Sequence, residues 1–295
     1  MPGKTTIVLF LACISASVHA QTTAIRKTID SIATHAKARI GVSALLLETG
    51  DTLTYRGNDH YPMQSVYKFP ISMAILHQVD LGKYKLDEKI TITSNDIMPL
   101  GHSPIRDAHP HGGVTMSLRE ISRYNIQESD GTACDVLLRL LGGTKKTNDY
   151  IKSLGVKGIN IATTEKEQQK DDTTQYHNWA TPIGLTQLYK VFYQGKALSK
   201  QSYDLLWKDM AESFPGAKRI KGLLPPGTIV AHKTGTSGTH QGFTAATNDS
   251  GIITLPNGKH LALAVFVSDA KGTEAEREGY IAQIAKALYD YWATR

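Results

Sequence analysis

Ser65-Val66-Tyr67-Lys68 sets a hydroxyl and an amine three residues apart, which places both on one face of a helical turn. An amine in that position takes the hydroxyl's proton when its neutral form is accessible, and the serine becomes a nucleophile. The N-terminus of the helix that would follow adds free N–H groups and partial positive charge where an oxyanion would form. Alone the pattern is weak, because Ser-x-x-Lys is expected about once by chance in a chain of this size. Its ordinary reading is a capping serine beside a solvated lysine.

Two further elements change that reading. Ser129-Asp130-Gly131 precedes an apolar helical run, and Lys233-Thr234-Gly235-Thr236-Ser237-Gly238 ends a strand through Ile229-Val230-Ala231-His232. A strand-end Lys-Thr-Gly offers a cation, a hydroxyl and a glycine beside which a ligand can lie against the strand edge. Taken singly, the first is a turn with an Asx cap and the second a glycine-rich hairpin. In this order, separated by about 64 and 104 residues, the three match the Ser-x-x-Lys, Ser-Asp-x, Lys-Thr-Gly signature of penicillin-recognising serine enzymes.

Over essentially its whole mature length the chain resembles a class A β-lactamase. Met63-Gln64-Ser65-Val66-Tyr67-Lys68, Asp171-Asp172, Gln175-Tyr176, Asn178-Trp179 and His232 to Gly238 resemble the extended-spectrum A2 branch, PER-like enzymes in particular. The resemblance implies an α+β fold: a five-stranded antiparallel sheet built from both termini with a helical lobe inserted. It implies that Ser65 attacks a lactam carbonyl, its proton taken by Lys68 or by Glu165 through a water, and that the backbone N–H groups of Ser65 and Thr236 form the oxyanion hole. Ser129 would relay a proton to the departing ring nitrogen, and Lys233 with Thr234 and Thr236 would hold the substrate carboxylate. Asp130, Gly131, Gly235 and Ser237 complete the implied substrate surface, with Arg219 as an aid to carboxylate binding or a plain exposed arginine.

Acylation alone would make a penicillin-binding protein; a hydrolase also needs a base that delivers water to the acyl-enzyme. Class A enzymes carry it on an omega-shaped loop, and counting back from Asp171-Asp172 and Gln175 to Trp179 assigns it to Glu165, with Glu167 as the rival. Several positions depart from the pattern. Gly131 stands where most relatives carry Asn, leaving a hydrogen bond worth ~0.5–1.5 kcal/mol unmade. Gln169 replaces the Asn that commonly helps hold the deacylating water. Residues 161–167 contain no Arg and Asn178 occupies the usual Asp position, so the ion pair that pins this loop in many relatives is expected to be absent. His102 falls near an aromatic gate position, or is a surface loop histidine.

The surrounding pattern supplies the elements to position these groups. Helical signals at Thr23 to Arg39 and from about Thr273 to Trp292 flank strands at Gly41 to Glu48, Thr52 to Tyr55, Thr228 to His232, Gly242 to Leu255 and His260 to Ser268. The last two are joined by Pro256-Asn257-Gly258-Lys259, a hairpin signal. Between about Tyr61 and Pro215 the signals are mostly helical: Val66 to Asp80, Ser117 to Ser129, Thr132 to Leu141, Asn148 to Ser153, Thr181 to Tyr193 and Ser199 to Met210. This divides the chain into a sheet lobe over 21–60 and 216–295 and a helical lobe over 61–215, with the site expected in the groove between them. Pro70 falls early in its helix and removes the N–H that would otherwise bond to Val66, which is tolerable near the first turn.

Lys4, the apolar Ile7 to Ile14 and the small residues to Ala20 read as a secretory signal over residues 1–20, cleaved before Gln21, with lipidation at Cys13 as the alternative. A soluble periplasmic monomer is expected. Loss of Cys13 leaves Cys134 without a partner, in an apolar helical run where a packed thiol is the expected role. The net charge of +6 comes from scattered Lys and Arg with no nucleic-acid motif. His109-Pro110-His111 is the one metal-like spacing, and it lacks a following Asp and any Cys/His cluster; neither a metal nor another cofactor is expected. A D,D-peptidase and a non-catalytic β-lactam sensor share the serine signature and remain the competing readings.

Overall fold

The computed structural model describes residues 22–295; the segment over residues 1–20 expected to be a secretory signal, with Cys13, lies outside the described residues. Helix α1 (residues 22–35) leads into β1 (Arg39–Leu46) and β2 (Thr52–Tyr55). Then come the short β3 (Tyr61–Pro62), a 3-10 turn at Gln64–Tyr67, α2 (Lys68–Asp80), β4 (Lys89–Ile92), α3 (Pro104–Ala108), β5 (Val114–Ser117), α4 (Leu118–Ile126), α5 (Gly131–Leu141) and α6 (Thr144–Ser153). After β6 (Ile159–Asn160) an omega-shaped loop carries α7 (Glu165–Gln168) and returns at β7 (Trp179–Ala180). The chain continues through α8 (Pro182–Tyr193), α9 (Lys200–Ala211), β8 (Val230–Thr236), β9 (Thr239–His240), β10 (Phe243–Thr254), β11 (His260–Lys271) and α10 (Glu274–Ala293).

The main sheet runs β2-β1-β11-β10-β8, all antiparallel, and β9 adds a sixth, two-residue strand on β10. The expected five strands are therefore present; the sixth is a hairpin stub too short to show alternation. Both faces of the sheet are covered, which is why its strands read as near-continuous apolar runs. Ile40, Val42, Ala44 and Leu46 of β1 pack with Val265 and Val267 against Ile281, Ile284 and Leu288 of α10. The opposite face, with Leu45, Ala264 and Phe266, packs into the helical lobe. There Ser43 and Thr186 of α8 share a buried 2.8 Å hydroxyl contact.

Helix α2 is buried from Lys68 through Leu76, as befits the central helix of a lobe, apolar on every side. It packs against α4, α5, α6 and α9. Pro70 is its third residue, in the first turn as expected. Ser117, Thr181, Ser199 and Thr273 do not belong to the helices that follow them. Each stands one residue outside and accepts an N–H from the first turn, the role for which short hydroxyl side chains are favoured.

Two small sheets were not anticipated. Strands β4 and β5 pair as a hairpin inside the helical region, and β7 pairs with both β3 and β6, closing the base of the omega loop. Strand β8 also runs on past His232 through Lys233, Thr234, Gly235 and Thr236, paired with Ser250 to Thr247 of β10. Backbone pairing continues where the apolar pattern has stopped.

Candidate active site

Ser65 lies on the 3-10 turn and Lys68 is the first residue of α2. The Lys68 side chain is 1% exposed; its Nζ donates to Ser65 Oγ at 2.8 Å and forms an ion pair with the Glu165 carboxylate. Burial of the ammonium pulls its pKa down, but the adjoining carboxylate outweighs this and the net displacement is upward. In this state Lys68 is a proton donor to both partners. Its backbone carbonyl accepts from Asn125 Nδ2, which also donates to Ser72 Oγ, so the first turn of α2 is held by α4.

Across the cleft Ser129 adopts φ 59°, a left-handed conformation uncommon for a residue with a Cβ. Lys233, fully buried in β8, donates to Ser129 Oγ at 2.8 Å and to the Thr234 carbonyl at 3.0 Å. Burial, reinforced by the nearby Lys68 charge, drives the Lys233 amine well below the ordinary lysine range. Two buried amines thus each hold one serine hydroxyl.

The β8 wall brings Thr234, Thr236 and Ser237 to the cleft surface. Gly235 is needed for a reason other than ligand access: a Cβ there would meet Met63 O at 2.3 Å and Gln64 Cβ at 3.1 Å, so its missing side chain lets β8 lie against the turn that carries Ser65. Asn248, opposite Gly235, fastens the same segment by donating to the carbonyls of Pro62 and Met63.

Several sequence expectations need correction. Arg219 is buried, not exposed, and does not line the cleft. It pairs with Glu278 at 3.1 Å, donates to the carbonyls of Gly235 and Asn248, and reaches the cleft only through Thr236 Oγ1 at 2.7 Å. Asp130 is fully buried and caps α5: it accepts from Ala133 N, Ile105 N and Ser103 Oγ, leaving it no part of the cleft surface. Gly131 is covered as well, since a Cβ would fall 1.9 Å from Met98 Sδ; the thioether fills the space of an absent side chain. Gln169 lines the cleft but spends its amide N–H on the Leu100 carbonyl at 2.9 Å, tying the omega loop to the neighbouring loop. His102 lines the cleft, with Nε2 2.8 Å from the Glu128 carbonyl.

The two candidate glutamates separate by their bonding. Thr164 and Glu167 form a reciprocal capping box at the start of α7, which uses up the Glu167 carboxylate, whereas Glu165 turns to Lys68. Asp135 of α5, which sequence reasoning missed, accepts the backbone N–H groups of Glu165 at 2.7 Å and Lys166 at 3.1 Å. Burial lifts its pKa to about 6 despite those two bonds. The sequence signal was a carboxylate inside an otherwise apolar run. At the loop's base Asn178 accepts from Ala162 N and Thr163 N and donates to Thr163 O, at 2.7, 2.9 and 2.9 Å. Among the described residues no Arg–carboxylate pair spans the loop, and the Asn178 amide holds its base instead. The far half of the loop is bonded through Gln64 to Gln175, and through an exposed His240–Asp172 pair.

The cleft encloses about 1320 Å³. Cys134 is buried, its Sγ 3.5 Å from the Tyr67 hydroxyl, as packing requires. His109 and His111 are exposed, and no group of three metal-ligating side chains occurs among the described residues.

A sheet from both ends of the chain, an inserted helical lobe and a serine sharing a buried lysine with a loop glutamate define a penicillin-recognising serine hydrolase. The model of the beta-lactamase enzyme family matches residues 24–292. Beta-lactamase VEB-1 of Pseudomonas aeruginosa is 42% identical over 94% of this chain and 93% of its own length. Extended-spectrum beta-lactamase PER-1 of the same organism is 38% identical over 96% and 92%. The crystal structure of TLA-1 extended spectrum beta-lactamase superposes with a TM-score of 0.90 at 45% identity, covering 92% of this chain and 99% of that one. The chain belongs to the beta-lactamase enzyme family, in its class A branch.

Proposed function

We propose that this enzyme opens penicillins and cephalosporins, extended-spectrum cephalosporins included, through an acyl-enzyme on Ser65 that water directed by Glu165 resolves. The observation that carries this reading is the Lys68 ammonium placed between Ser65 Oγ and the Glu165 carboxylate. Ser65 Oγ attacks the lactam carbonyl, and its proton passes to the Glu165 carboxylate through a water or to Lys68 once Lys68 has yielded a proton to Glu165. The raised Lys68 pKa favours the first route, because the resting amine is already protonated. The backbone N–H groups of Ser65 and Thr236 receive the oxyanion, each worth ~100- to 1,000-fold in rate. Ser129 passes a proton to the ring nitrogen as the C–N bond breaks, under the influence of Lys233. The substrate carboxylate lies against Thr234, Thr236 and Ser237, with Lys233 and Arg219 acting through Ser129 and Thr236 rather than by touch. His102 and Gln169 line the path of the acyl substituent. Deacylation reuses Glu165 as the base for water, as its contact with Lys68 and its separation from the Glu167 cap support.

The extended-spectrum assignment draws on the named relatives PER-1 and TLA-1. The sheet lobe over 21–60 and 216–295, the helical lobe over 61–215, export to the periplasm and action as a monomer belong to the same proposal.

The test is the mature protein mixed with a chromogenic cephalosporin, wild type beside Glu165→Ala, following turnover and covalent mass. Steady turnover in wild type and a trapped acyl-enzyme in the variant is the expected result. A single burst with a stable adduct in wild type would make the chain a penicillin-binding protein or sensor.

A further inference from the structure

Tyr176 sits in the far half of the omega loop and lines the cleft, and its hydroxyl donates to Asp269 Oδ1 at 2.6 Å. Asp269 belongs to β11, so this bond runs from the loop to the sheet. Ala270 and Lys271, next along β11, pair with Thr244 and Phe243, and Phe243 and Ala245 line the sheet side of the same cleft. Asp269 itself holds φ 54° inside a strand, a left-handed conformation that surrounding contacts must sustain. Those contacts are present. Its second oxygen accepts from Arg39 Nε at 3.2 Å, and the Arg39 guanidinium lies 4.6 Å above the centre of the Tyr61 ring. Tyr61 in turn occupies the space that any Cβ at Gly41 would claim, its Cε2 2.4 Å from that point. Burial, with the Asp269 carboxylate adding to it, raises the Tyr176 hydroxyl well above the usual tyrosine range, so it stays a donor. The Glu165 end of the loop is anchored separately, by Asp135 and Asn178.

We propose that Tyr176 and Asp269 form a clasp that fixes the spacing between the omega loop and the sheet, and with it the size of acyl substituent the cleft admits. This rests on the reading of the cleft as a β-lactam-hydrolysing site and assigns specificity to a pair that touches none of the reacting atoms. Because Glu165 is held independently, loosening the clasp changes the fit of large substituents and leaves the chemistry of small ones intact.

The experiment compares wild type, Tyr176→Phe and Asp269→Asn on two cephalosporins that differ only in the acyl group, one acetamido-sized and one a branched oxyimino. Tyr176→Phe is expected to lower KM for the bulky substrate by about fivefold, the scale of one lost hydrogen bond, with kcat for both substrates and KM for the compact one within about twofold. Asp269→Asn tolerates a left-handed backbone but leaves one acceptor oxygen for two donors, the Tyr176 hydroxyl and Arg39 Nε, so it should shift the KM ratio in the same direction as Tyr176→Phe. An equal change for both substrates, or an unchanged KM ratio in a Tyr176→Phe protein shown by thermal melting to be folded, would overturn the clasp. Wild type that turns over neither cephalosporin would overturn the functional reading itself.

Discussion

Replacing Asn178 by Asp tests how the omega loop is held, because the change is nearly isosteric and alters one bond. The amide accepts from two backbone N–H groups and donates to the Thr163 carbonyl. An ionised carboxylate keeps the first two contacts but faces the carbonyl with no proton; a neutral one restores all three. Asp135 offers an internal calibration, for it is a buried carboxylate with two backbone N–H donors, and its pKa is lifted to about 6. A carboxyl introduced at the fully buried 178 position should titrate near the same value, about two units above its unfolded reference. A raised folded pKa means the folded state binds the extra proton, so the stabilisation is complete below about pH 4 and is lost as pH rises to about 6. The loss is about 3 kcal/mol, or roughly 5–10 °C in Tm for a chain of this length. Melting curves of wild type and Asn178→Asp between pH 4 and 7 measure it, with the two proteins converging at the acid end. A constant difference across that range would show that the introduced carboxyl does not titrate as a buried acid, and no difference at pH 7 that a cation compensates it; either outcome refutes the account of Asn178 as a substitute for an ion pair.

Other outcomes follow from the same contacts. Asp135→Asn should flatten the wild-type decline in stability between about pH 4 and 6, because the raised pKa of Asp135 makes the native protein favour its protonated form; urea unfolding at the two ends reads this. Gly235→Ala should push β8 away from the Ser65 turn and cut kcat/KM by at least about tenfold, a loss too small to detect if the Met63 carbonyl can move aside. Gly131→Asn should destabilise alone and much less in combination with Met98→Ala, a coupling of about 1–3 kcal/mol in a thermal double-mutant cycle. Glu167→Ala should cost about 1 kcal/mol through the lost capping box while turnover persists, in contrast with Glu165→Ala.

Much of this arrangement was legible because apolar periodicity and turn chemistry are local. The strands around Asn257-Gly258, the long final helix and the burial of Cys134 follow from residues adjacent in the chain, and Gly258 takes the positive φ of 80° that the hairpin requires. Helix starts were misjudged by one residue at Ser117, Thr181, Ser199 and Thr273, since a hydroxyl just outside a helix looks like its first member. What failed were features set by tertiary approach. Gly131 looked like a missing substrate contact and is a space filled by Met98; Gly235 looked like room for a ligand and is room for the Ser65 turn. Arg219 and Asp130 have the right chemistry for substrate, but their partners, Glu278 and the N–H groups of Ala133 and Ile105, lie where no spacing rule points. The choice between Glu165 and Glu167 was within reach, because Thr164-x-x-Glu167 is itself a capping signature.

The order of strands in the main sheet bears on how the molecule comes into being. Strand β1 lies between β2 and β11, and its register joins Arg39 to Ser268 and Leu46 to Leu261. Until the chain has been made through β11, β1 has one short neighbour and an apolar edge with nothing to pair against. The wall that carries Lys233 is likewise joined to β1 only through β10 and β11. Closing so long a loop before any contact rewards it is entropically costly and slow. The helices of the inserted lobe can gather early from neighbouring residues, but the cleft closes only with the last quarter of the chain, and activity regained on refolding should lag behind helix formation seen by circular dichroism.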